Sequence, residues 1–125
     1  MKSKQVTIGG VQVHLAFDLL AWFEVEDEFE SLDAMRKKLT SNARPVQTLV
    51  KLLTIEANAG ERMTGGNTKY THEWMRKNLK PGQVPEMTAA AYEAMAEAMK
   101  REDDGHDDDV DVVAEELEKK RAADA

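Results

Sequence analysis

The sequence predicts a mainly helical α+β fold, in which an N-terminal β-hairpin packs on a small bundle of about five helices and an acidic, flexible C-terminal tail follows. Three observations carry this. Residues 5–17 alternate apolar and polar side chains around Gly9-Gly10, the period-two pattern of a half-buried hairpin. From Leu19 onward, apolar residues recur at three- and four-residue spacing, as on the buried stripe of a helix. The charge then changes abruptly: residues 1–101 carry 14 basic and 13 acidic side chains, and residues 102–125 carry three and 11. The expected division is one domain over 1–101 and a disordered or weakly helical tail over 102–125.

Composition bounds the function. A chain of 125 residues, 42% hydrophobic and 33% charged, fits one small core and no second domain. With no cysteine there is neither a disulfide framework nor a thiolate metal site. A near-neutral body with an acidic tail lacks the basic face that nucleic acid or an anionic membrane surface requires. No run of about 18 apolar residues occurs, and MKSKQVTIGG lacks the apolar stretch of a signal peptide, so a soluble cytoplasmic protein is expected.

A two-residue Gly-Gly turn sets Ile8 opposite Val11 and Val6 opposite Val13 on one face, which must lie on helices because a lone hairpin is marginal in water. Asp18 is a plausible N-cap for a first helix running to about Glu30, with Leu19, Trp22, Val25 and Phe29 as its core stripe. Glu26 falls between Trp22 and Phe29, where a buried carboxylate costs several kcal/mol unless paired. It is read as lying near a frayed end, paired with a base such as Arg36, or held for a partner. After a tight junction, Ser31 caps a second helix with Leu32, Met35 and Leu39 inward and Arg36, Lys37 and Lys38 at its C-terminus, where positive charge is favoured.

Pro45 suits the first turn of a third, central helix whose Val46, Leu49, Val50, Leu53 and Ala57 share a face and which is expected to end near Gly60. Residues 60–69, rich in Gly and polar side chains, read as a flexible loop. Thr71 caps a short helix with Trp74, Met75 and Leu79, closed by Pro81-Gly82. Thr88 then caps a fifth helix with Tyr92, Met95, Ala96 and Met99 on one face. Trp22, Trp74, Met75, Met87, Met95 and Met99 suit either a soft groove for a partner helix or the core. Met95 and Met99 are assigned to the core, and Trp74 is left open. A short helix over 112–121 is marginal without a partner.

No catalytic or metal-binding pattern is complete. A phosphate loop over Gly60–Asn67 has Gly66 and Asn67 where lysine and a hydroxyl belong, and His72-Glu73 is followed by Arg76 where a zinc helix needs its second histidine. His72 therefore reads as a solvent-facing residue of a first turn. A calcium loop centred on Gly105 would begin with Lys100 and end with Asp111 instead of glutamate. No enzyme, cofactor or specific metal is expected.

The order of pieces resembles the tail assembly chaperones of long-tailed, siphovirus-type bacteriophages. The likeness rests on VTIGGVQVHLAFDL, LLAWFEVEDEFE, SLDAM and PVQTLVKLLTIEANA, continues more loosely through THEWMRKNLK and AAAYEAMAEAMK, and covers about residues 5–100. It implies a protein of the host bacterial cytoplasm, absent from the finished virion. Such a protein binds and solubilises the tape measure protein and helps recruit tail tube subunits; self-association is left open. On this reading the candidate partner-binding surface comprises Glu24, Glu26, Asp27, Glu30, Arg36, Lys37, Trp74 and Met75 together with the acidic tail. The resemblance also implies a longer form made by ribosomal frameshifting, for which Lys119-Lys120 is the candidate position. The alternative is a structural tail or head-to-tail connector component retained in the virion.

Overall fold

The hairpin forms in the register that Gly9-Gly10 dictates. In the computed structural model, which describes residues 3–100, β1 (Lys4–Ile8) pairs antiparallel with β2 (Val11–Leu15), Ile8 facing Val11 and Val6 facing Val13. Gly9 and Gly10 have φ of 61° and 76°, the left-handed backbone that a tight hairpin turn needs at both central positions. Val6, Ile8, Val13 and Leu15 are buried, whereas Val11 is 43% exposed, so of the pair nearest the turn only Ile8 enters the core.

Helix α1 (Leu19–Phe29) opens at Asp18, whose carboxylate accepts the Ala21 amide at 2.8 Å. The same carboxylate receives two hydrogen bonds from Arg62, at 2.8 and 2.9 Å. These Arg62 bonds hold the Asp18 carboxyl below the usual carboxylate range against the opposing effect of partial burial, so their contribution is present at neutral pH and is lost as pH falls through the folded-state value. Replacing Asp18 with alanine is expected to lower stability by about 1 kcal/mol in urea unfolding at pH 7, while Asp18→Asn, which keeps the cap, costs less.

The inward stripe of α1 is Ala21, Val25 and Phe29. This corrects the expected stripe: Leu19 is 64% exposed, Trp22 is half-buried against Phe17, and Glu26 faces solvent. The small Ala21 sets the phase, and at 100° per residue it turns Leu19 and Glu26 outward together. Glu26 makes no ion pair among the described residues, and Arg36 meets Asp33 instead, at 3.9 Å. The chain reverses at Glu30, with φ 78°, into α2 (Leu32–Thr40), capped by the Ser31 hydroxyl on the Ala34 amide. Met35 and Leu39 point inward, and Lys38 lies 5.7 Å from the centre of the Phe29 ring.

The centre of the fold is α3 (Pro45–Thr64), which touches β2, α1, α2 and both helices that follow it. Pro45 lies in its first turn as expected. Its end does not fall near Gly60: the helix runs to Thr64 and stops at Gly65, with φ 75°. Gly60 serves a different purpose, because a Cβ there would stand 1.7 Å from the His14 carbonyl oxygen. Only glycine lets β2 cross the helix at this distance. Residues 60–64 are therefore helix and not loop. Val46, expected in the core, is 48% exposed, whereas Leu49, Leu52, Leu53 and Ala57 are buried.

Helix α4 (His72–Asn78) begins at Thr71, whose hydroxyl accepts the Trp74 amide at 3.0 Å, and His72 is exposed in its first turn. A 3₁₀ turn over Pro81–Gln83 leads into α5 (Val84–Met99). That helix starts earlier than its expected cap at Thr88, because Pro85 fits its first turn. Thr88 lies inside it and returns its hydroxyl to the Val84 carbonyl at 2.8 Å. The buried stripe is Met87, Ala90, Ala91, Ala94 and Met95. Its small side chains turn the helix away from the expected face: Tyr92 is half-buried, Ala96 is exposed and Met99 is 41% exposed, which removes Met99 from the core. No helix among the described residues is long and apolar enough to cross a membrane.

Candidate partner-binding surfaces

The outward side of α1 divides into two halves. Leu19 and Phe23 start a stripe that continues through Glu26 and Glu30 at helical spacing, with Leu20 and Asp27 beside it. Leu19, Leu20 and Phe23 are 64%, 53% and 50% exposed, and all four acidic residues, Glu24, Glu26, Asp27 and Glu30, face solvent. An apolar N-terminal half thus adjoins an acidic C-terminal half. Exposed large apolar side chains grouped in this way are a mark of interaction sites.

Toward α3 and α4 the same helix borders a cleft of about 560 Å³, lined by Glu24, Asp27, Glu28 and Glu73 together with Asn58 and Tyr70. Its floor is firmly built. The Asn58 side chain accepts the Tyr70 amide at 2.7 Å and donates to the Tyr70 carbonyl at 3.0 Å, tying the chain before α4 to α3. The Tyr70 ring meets Trp74 edge to face at 4.9 Å. Burial, and after it the negative Glu61, pushes the Tyr70 hydroxyl above its ordinary pKa, so it stays protonated. Among the described residues no group of three or more acidic or histidine side chains is placed to hold a metal ion.

The candidates named from the sequence are thus separated by the structure. Glu24 and Asp27 share the cleft, while Glu26 and Glu30 lie on the outward stripe of α1. Arg36 and Lys37 are exposed on α2. Trp74 is half-buried behind Tyr70. Met75 is fully buried, which corrects its placement on a partner surface, because α4 turns this side chain into the common hydrophobic core. The tail and Lys119-Lys120 lie outside the described residues.

Next to the acidic cleft, with His72 lining both and the Lys51–Glu28 ion pair between them, the N-terminal half of α3, α4 and the start of α5 enclose a groove of about 870 Å³. Val46, Val50, Leu79 and Val84 supply apolar lining, and Lys51, Arg76 and Lys80 supply positive charge; no acidic side chain lines it. Composition could not show this groove, because its residues come from two separate stretches, 46–51 and 72–85, of a nearly neutral body.

One buried acid falls outside the candidates named from the sequence, Glu56. It sits at full burial in α3, and neither carboxyl oxygen has a hydrogen-bond partner. Desolvation alone pushes its carboxyl well above the ordinary glutamate value. The signal was present, since Leu49, Leu52, Leu53 and Glu56 follow i, i+3, i+4 and i+7. Comparison with known proteins adds no assignment: no family model, no curated protein and no solved structure matches the chain.

Proposed function

We propose that this chain is a phage tail assembly chaperone, which holds the tape measure protein in solution and helps bring tail tube subunits to it. The observation that supports the reading best is the outward face of α1. Leu19, Leu20 and Phe23 offer an apolar contact for an exposed stripe on a helical client, and the adjoining acidic residues keep the complex charged and soluble. The order of sequence pieces over residues 5–100 supports the same reading. The protein acts in the host cytoplasm and is left behind when the virion is complete.

The test is co-expression with the tape measure protein of the same phage. Wild-type chain is expected to keep the client in the soluble fraction, whereas the double variant Leu19→Asp, Phe23→Asp fails to do so. Because both positions are exposed, each substitution should change the stability of the chain itself by no more than about 0.5 kcal/mol. A client equally soluble with and without the chain removes the proposal. Stoichiometric recovery of the chain from purified virions would assign it instead to the structural components of the tail.

A further inference from the structure

We infer that the groove between α3, α4 and the start of α5 is the docking site for the chain's own C-terminal segment, residues 110–118. The inference does not depend on the identity of any client.

Charge complementarity is the first argument. The groove presents Lys51, Arg76 and Lys80 and no acidic side chain. Lys51 already meets Glu28 at 2.8 Å, but Arg76 and Lys80 take part in no ion pair among the described residues. Residues 110–118 carry four acidic side chains, Asp111, Glu115, Glu116 and Glu118, and no basic one.

Apolar pattern is the second. The groove leaves Val46 48% exposed and Leu79 and Val84 only partly covered. In the segment, Val110, Val113, Ala114 and Leu117 fall at i, i+3, i+4 and i+7, one stripe if the segment is helical. Such a segment is marginal alone and gains its stability from a face to pack on.

Reach is the third. Helix α5 has 16 residues, so the chain leaves it about 24 Å from the groove end at Val84. Residues 101–109 can span about 30 Å when extended, enough to bring Val110 back. Tethering at this length corresponds to an effective concentration on the order of millimolar, which favours the attached segment over a free acidic peptide.

The chain has no cysteine, so Glu118→Cys carrying a nitroxide reports one position only. The amides of Val46, Leu79 and Val84 are expected to lose most of their NMR intensity in the full-length labelled chain, while those on the outward face of α1 keep theirs. The loss should be relieved by Arg76→Glu with Lys80→Glu. It should also be relieved by Val113→Ser with Leu117→Ser, which leaves the folded body untouched and so guards against a misfolded groove variant. Full intensity in the labelled wild type, or broadening that survives the tail variant, overturns the inference. Broadening that appears only when label and observed amide are on different chains overturns it in favour of a second copy.

Discussion

Replacing Gly60 with alanine is expected to destabilise the protein by roughly 3 kcal/mol, read as a lowered midpoint in urea unfolding followed by circular dichroism. The sign is what makes this informative. Inside a helix alanine is ordinarily favoured over glycine by about 1 kcal/mol, so local propensity predicts a gain. The contact predicts the reverse, because the added methyl would meet the His14 backbone carbonyl at 1.7 Å and the backbone carbon behind it at 2.4 Å. Neither is the end of a flexible side chain. The cost must be met by moving β2 off α3, which opens the packing of Val13 and Leu15. Gly82→Ala, where nothing stands within 4 Å, is the matched control and should be close to neutral. An unchanged or raised midpoint for Gly60→Ala would show that the strand and helix can separate freely.

The second large effect concerns Glu56. Its folded-state pKa is raised above the unfolded value, so the native chain keeps a proton that the unfolded chain has released. Stability should be highest in this respect below the unfolded glutamate value near 4.5. It should fall as pH rises from there through the raised folded-state value. Asp18 works in the opposite sense and at the acid end, where its Arg62 bonds are lost, so the two windows can be read apart. Glu56→Met, similar in volume and without charge, is expected to raise stability at pH 7.5 by roughly 1 to 4 kcal/mol and to flatten the pH dependence above pH 5. Glu56→Gln should flatten it too with a smaller gain, since a buried amide still lacks partners. A less stable methionine variant with the slope intact would mean that the carboxylate is satisfied in solution.

Local rules carried far into this structure where one residue decides the geometry. The hairpin register follows from two glycines, and the caps at Asp18, Ser31 and Thr71 follow from oxygen-bearing side chains placed before apolar runs. Legibility ended where small residues set the phase. In α1 the large Leu19 and Trp22 suggested one stripe, yet Ala21 is buried and Leu19 is not. In α5 the alanines form the packing face, while the larger Met99 stays outside. Gly60 reads from the sequence as a helix end, and only the position of the His14 carbonyl shows that it is a close approach instead. For the surfaces, the acidic residues on α1 are exposed as expected, but helical angle puts Glu26 on the expected core stripe, whereas the buried carboxylate of the fold is Glu56. The basic groove depends on two separate stretches, 46–51 and 72–85, meeting in space, which periodicity within either of them does not encode.

The hairpin also leaves the ribosome well before the elements on which it packs. Asp18, just after β2, bonds to Arg62, 44 residues downstream, and the Thr7 carbonyl of β1 accepts from the Gln83 side chain at 3.0 Å, 76 residues downstream. A two-stranded hairpin does not hold itself together in water, and synthesis adds only about 5 to 20 residues each second. For several seconds, then, the nascent chain carries an apolar strand pair without a surface to rest on. Assembly of the domain waits on the emergence of α3 and then α5, so the fold closes from its middle outward rather than in the order in which it is made.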